Sequence, residues 1–294
     1  MKSLTFHLGL TLTLGLLANP ALAQRAPSLG DNAALRYWSA FAQMQDSGVT
    51  DQQAKLLNEI LAGTAPYDDS KFKDLAEKNR AAVETMVRGT KLPQCDWGIE
   101  SELREDAPVD FVRKSLALGR LNVLFAFHLL KNGDKDGAVH ALVAGLRFSH
   151  DVSNGGTLFA TAVAKDLLVT HLGAVSFALK LGDLNSAQRT ILQKAMTHLG
   201  NDGLPWQSAM QREMAVLDRP DKQFSEALHR VGQAYVEALR DPSTLPRLQQ
   251  LIASSPSPLR DSLPNPQRVL AEKQNLVHKL AEIRSLFQNK VSHP

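Results

Sequence analysis

From Gly30 onward almost every stretch of this chain has helical rather than strand character, and that one fact removes most folds from consideration. Ala, Leu, Gln, Lys, Arg and Glu dominate, and no run alternates β-branched with polar residues. Caps and breakers then divide the helical character into elements. Asp31-Asn32 caps a helix reaching 44, Thr50 caps one over 51–61, and Asp68-Asp69 opens a third that runs to Arg88 and stops at Gly89. A loop over 91–107 follows. Pro108 suits a helix start, and the segment 109–130 is apolar around most of its circumference, as a central core helix would be.

Helices over 135–152, 157–181 and 185–199 come next, separated by Gly133-Asp134, by Ser153-Asn154-Gly155-Gly156 and by Gly182-Asp183. Short turns between long helices specify antiparallel hairpins. Pro205 opens a helix to 217, and another is expected over 221–240. Between 241 and 266, Pro242, Pro246, Pro256, Pro258, Pro264 and Pro266 leave room for one short helix over 245–253. The final helix, 266–288, carries an apolar stripe including Leu270, Leu276, Leu280 and Ile283, and such a stripe should dock back on the body. The expected fold is therefore all-α: antiparallel helical hairpins packed as a bundle or short α-solenoid of about ten helices. Its organisation would be a helical domain over 24–240, a proline-rich connection over 241–266 and a C-terminal helix over 267–294.

The first two dozen residues read as an export signal. Lys2 supplies a positive start, 4–17 an apolar stretch, Pro20 a helix break, and Ala21-Leu22-Ala23 a small-x-small cleavage site, so the mature chain is expected to begin at Gln24 outside the cytoplasm, in the periplasm or beyond. No cysteine follows the cut to carry a lipid, and no later segment reads as apolar enough to span a bilayer. The formal charge of +3 falls to +2 without Lys2, so nothing calls for a nucleic-acid partner. Cys95 is the only cysteine, which excludes an intramolecular disulfide and leaves stability to packing.

Chemistry is sparsely encoded. No histidine pair has the i, i+4 spacing of H-E-x-x-H, G-x-S-x-G is absent, and so are the phosphate-cradling glycine motifs, so no metal site, cofactor or catalytic residue is assigned. His128, His140, His150 and His171 fall on neighbouring expected helices without a ligating pattern. Glu100-Ser101 matches the dipeptide at the catalytic Glu of lytic transglycosylases, but the Gly-Leu-Met-Gln-like segment that follows it in those enzymes is missing. The best candidate site is the loop itself. Cys95, Asp96, Trp97 and Glu100 put a thiol, two carboxylates and an indole face within six residues, and Asp96, Trp97 and Glu100 are its binding candidates. The alternative is structural, with Trp97 plugging the end of the bundle and Asp96 capping a turn.

Two resemblances rest on these residues. Leu130-Lys131-x-Gly133-Asp134-x-x-x-Ala138 matches Leu179-Lys180-x-Gly182-Asp183-x-x-x-Ala187, and the pair resembles tetratricopeptide hairpins over half a repeat. Cys95-Asp96-Trp97-Gly98, Gly133-Asp134, Leu146-Arg147-Phe148-Ser149-His150 and Gly155-Gly156-Thr157-Leu158 resemble a group of uncharacterised exported all-helical proteins of environmental bacteria, over about 32–199. That resemblance implies the fold and export and no activity. The expected role is interaction with a protein, peptide or cell-envelope component. The alternatives are a small-molecule binder with a cavity between helices, or an enzyme with its site near 95–100.

Overall fold

The structure, a computed structural model, describes residues 29–45, 49–99, 110–218 and 224–288. The expected leader over 1–23, its cleavage site, Glu100 and the helix start at Pro108 lie outside the described residues.

Among the described residues there are thirteen α-helices and no β-strand, which establishes the all-α architecture. They are α1 (Ala33–Gln43), α2 (Asp51–Ala62), α3 (Lys73–Lys78), α4 (Arg80–Gly89), α5 (Asp110–Lys131), α6 (Lys135–Ser153), α7 (Leu158–Lys180), α8 (Ser186–His198), α9 (Trp206–Leu217), α10 (Ser225–Arg240), α11 (Leu245–Ser254), α12 (Ser257–Ser262) and α13 (Pro266–Gln288). The caps act as their chemistry dictates. Asn32 accepts from the Ala34 amide, Thr50 and Gln53 form a capping box, and Asn185 and Gln188 form another. Thr157 accepts from the Ala160 amide at 3.0 Å and so fixes the start of α7.

One expected helix is three pieces. The segment opening at Asp68 is a 3-10 turn, Asp69–Lys71, then α3 and α4, with the break at Asn79. The Asn79 side chain accepts from the Gln45 amide at 2.8 Å and donates to the Leu75 carbonyl at 3.0 Å, so it ties down the chain leaving α1. This competition between side chain and helix backbone is what interrupts the periodic pattern.

The core is α5, α6 and α7 packed side by side, with α1 and α4 against one flank, α2 and α9 on α7, and α8 on α6. Gly133 takes the left-handed conformation, φ 85°, its amide bonds the Leu130 carbonyl, and the Asp134 amide reaches back to Leu129 at 3.0 Å. The Asp134 side chain then caps α6 through the Gly137 amide at 2.9 Å. The matching turn is built differently. Gly182 is left-handed as well, φ 77°, but Asn185 rather than Asp183 caps α8, and Ala187 is exposed whereas Ala138 is fully buried. The two hairpins share a C-cap and not a packing surface.

The expected central helix α5 shares that place with α7, each burying most of its residues. Contrary to the sequence expectation, α7 is long and apolar enough to cross a membrane by length and composition, with a mean hydropathy of 1.4. Here it is the axis on which α2, α5, α6, α9 and α13 converge, and most of its apolar window is buried inside the fold. The C-terminal helix docks: Leu270, Leu276, Leu280 and Ile283 of α13 are buried, Lys165 pairs with Glu272 at 2.6 Å and Lys273 with Asp202 at 2.9 Å. The proline-rich stretch is more ordered than a connection, since it holds a 3-10 turn, α11 and α12, and buries Leu248 and Leu259. Each of these helices has Pro in its first turn, where the missing N–H costs nothing.

Candidate functional site

The loop after α4 is held as a plug. Trp97 is 6% exposed and stacks on Phe111 at 4.2 Å between ring centroids, with Tyr37 at 5.6 Å and Phe41 at 6.2 Å completing an aromatic cluster. Its indole Nε1 donates to the Asp151 backbone carbonyl at 2.8 Å. Asp96 faces solvent and shapes the turn: its carboxylate accepts from the Gly98 amide at 2.9 Å, and its amide and carbonyl both bond the Asn32 side chain. Cys95 sits half-buried with Sγ 3.6 Å from the Asp151 carbonyl oxygen. Burial, with the Asp151 carboxylate nearby, pushes its thiol well above the ordinary range, so it is not a poised nucleophile. Of the three binding candidates, Trp97 is packed into the aromatic cluster, Asp96 is exposed with one carboxylate oxygen in the turn, and Glu100 lies outside the described residues.

Beneath the loop lies Asp151, fully buried on α6. Tyr37 Oη donates to its Oδ2 at 2.6 Å, and Arg147 Nε stands 3.0 Å from its Oδ1. Desolvation raises its carboxyl pKa, opposed by the Tyr37 hydrogen bond and the Arg147 charge. The same contacts drive the Tyr37 phenol well above its usual value, with burial the largest cause.

Arg147 connects this anchor to open space. On the other side of α6 a cleft of about 540 Å³ is bounded by the end of α4, by α6 and by α8. Its floor is apolar, with Val87, Val143, Ala195 and Leu199 among the lining residues, and its polar wall is made of Lys91, His140, Arg147, His150 and His198. Among the described residues no carboxylate and no thiol lines it. His150 Nδ1 is buried without a hydrogen-bond partner among the described residues. Burial lowers the pKa of His150, and the neighbouring Asp151 charge works against that shift. The hydroxyl of Thr90, the remaining polar lining group, is engaged by the Val87 carbonyl at 2.9 Å. The cleft therefore offers positive and hydrogen-bonding groups beside apolar ones.

The four histidines singled out from the sequence part company. His140 and His150 share the cleft; His128 lies between Asp69 at 2.9 Å and Glu77 at 2.8 Å; His171 is sealed in the core against Ser149 at 2.9 Å and Asn122 at 3.3 Å. The signal for the cleft was present as His140-x-x-Val143-x-x-x-Arg147-x-x-His150, steps of three and four that fall on one helix face. What the sequence could not supply was Lys91 and His198, which the fold brings in from α4's end and from α8.

Comparison of the chain with protein families, with curated proteins and with solved structures finds no match in any of the three, so the functional reading rests on the geometry above.

Proposed function

We propose that this chain is an exported helical binding protein that holds a peptide end or another small cell-envelope ligand in the cleft between α4, α6 and α8. The observation that carries this reading is the contrast in occupancy of space: the loop with the most reactive-looking residues is packed shut by Trp97, whereas the cleft is open and lined by Lys91, His140, Arg147 and His198 over apolar residues. Export is supported by Lys2, the apolar stretch that follows it and Ala21-Leu22-Ala23. Action by binding rather than by catalysis is supported by a lining without carboxylate or thiol.

The cleft is tested with Nile red, a neutral apolar dye, titrated into the folded protein. One saturable site is expected, and it should be lost in Ala195→Phe, which fills the cleft from α8 while circular dichroism reports an intact fold. A titration unchanged by Ala195→Phe would remove the cleft from the proposal. Secretion is tested by the first residue of the protein recovered outside the cytoplasm, expected to be Gln24; Met1 retained in membranes would overturn it.

A further inference from the structure

The chemistry of the cleft specifies more than a generic small ligand. Arg147 is held by its Nε against the buried Asp151, and Asp151 is itself fixed by the Tyr37 hydroxyl at 2.6 Å and, through its backbone carbonyl, by Trp97. The ion pair at Nε leaves the two terminal nitrogens of the planar guanidinium over, on a side chain that is 44% exposed, and no described residue takes them. A guanidinium presented in this way is preorganised for a planar or tetrahedral oxyanion, because two parallel N–H donors match two oxygens and little rotamer freedom is lost on binding. His150, one turn along, lines the cleft beside it with its Nδ1 buried, and Lys91 adds a positive charge from the end of α4. Among the described residues no carboxylate lines the cleft, and the one paired with Arg147, Asp151, is buried behind it. Val143, from the same helix, and Ala195 and Leu199, from α8 and its end, supply apolar surface in the same cleft.

We infer that the cleft recognises an amphiphilic organic oxyanion, its carboxylate or phosphate head on Arg147 with His150 beside it and a short apolar body on Val143, Ala195 and Leu199. Asp151 is in this arrangement a positioning residue, and the buried loop around Trp97 acts as its support. The inference rests on the cleft being the binding site.

The experiment is calorimetric titration of the full-length mature protein with sodium octanoate, octyl phosphate, octan-1-ol and octyltrimethylammonium. At least one of the two anions is expected to bind at one site, more tightly than octanol, and the ammonium not at all; which anion binds assigns the head group. Arg147→Gln should weaken the anion at least tenfold and leave octanol unchanged, with Arg147→Lys in between because charge remains and the fork is gone. Asp151→Asn should weaken the anion as well, in a protein whose Tyr37 bond is retained. Arg147→Lys also guards against a folding defect in Arg147→Gln, since melting is followed in both. Failure of both anions to bind, equal binding of the ammonium, or anion binding indifferent to Arg147→Gln and Arg147→Lys would each overturn the inference. In the last case Ala195→Phe separates the two claims: if it abolishes binding the cleft stands and the oxyanion falls, and if it does not, both fall.

Discussion

Helix α6 has two sides that handle polar groups in opposite ways. On the inner side Gly145 lets the His171 ring approach so closely that a Cβ there would stand 2.2 Å from it, and Ser149, Asn122 and His171 hydrogen-bond one another in the buried interior, with Asn122 Oδ1 left without a partner among the described residues. On the outer side His140, Arg147 and His150 line open space, and the buried Nδ1 of His150 has no partner among the described residues. Polar side chains a few residues apart on one helix are thus structural or available according to what the neighbouring helix brings to them. The same holds for the 95–99 loop, whose thiol, carboxylate and indole are all turned inward or onto their own backbone. A group's chemistry signals function only where the fold leaves it unspent.

The hardest test of this division is Trp97→Ala. Removing a buried, stacked indole that also bonds Asp151 should cost about 3 to 5 kcal/mol in chemical denaturation, and native Cys95 should react with maleimide only on unfolding. A near-neutral truncation with rapid labelling would move the loop to the available side. Acid is next. The His171 ring is held neutral, its pKa lowered to about 4 by burial, so the unfolded chain takes up this proton first as pH falls. Stability should be full above about 6.5 and decline toward pH 4 by about 3 kcal/mol from this group. Asp151, its pKa raised by desolvation, works with the opposite sign, losing stability as pH rises out of the ordinary carboxylate range. A melting profile in His171→Gln as steep between pH 6.5 and 4 as in the parent would remove His171 as the cause.

Gly145→Ala should cost about 1 to 3 kcal/mol by overpacking His171 and Asn122, read as a lowered melting temperature. Gly133→Val, where a Cβ meets nothing within 4 Å, should cost only about 1 kcal/mol from its left-handed backbone. Gly137→Ala is not the harmless change that an interior helix position suggests, because its Cβ would crowd the Asp134 carboxylate that caps α6. The smallest effect belongs to the open side: Lys91→Ala and His140→Ala should each leave stability within about 0.5 kcal/mol while weakening octyl-anion binding. A large stability loss in either would mean that the open side is structural too.

Most of the architecture was legible because helix signals are local. Thr50, Asn32 and Gly133 cap where their side chains or their freedom of φ demand, and the apolar stripe of α13 docks as its periodicity requires. The break at Asn79 was hidden because its cause is the amide of Gln45, distant in sequence. The site was less legible for the same reason. Cys95-Asp96-Trp97 drew attention by being contiguous, and its burial depends on Tyr37, Phe41 and Phe111 from two other helices. The cleft is the converse: Lys91 and His198 acquire meaning only when α4 and α8 flank α6.

The docking of α13 on α7 sets an order in time. The helix most like a membrane span ends at Lys180, yet the helix whose Leu276, Leu280 and Ile283 help to cover it begins at Pro266 and so emerges much later from ribosome or translocon. Until it arrives, α7 presents a bilayer-length apolar surface with one flank bare, the state in which a nascent chain is most attractive to lipid, chaperones and its own neighbours. Completion of the fold is therefore coupled to the synthesis of α13, and a stalled or clipped product ending before it would leave that flank of α7 uncovered.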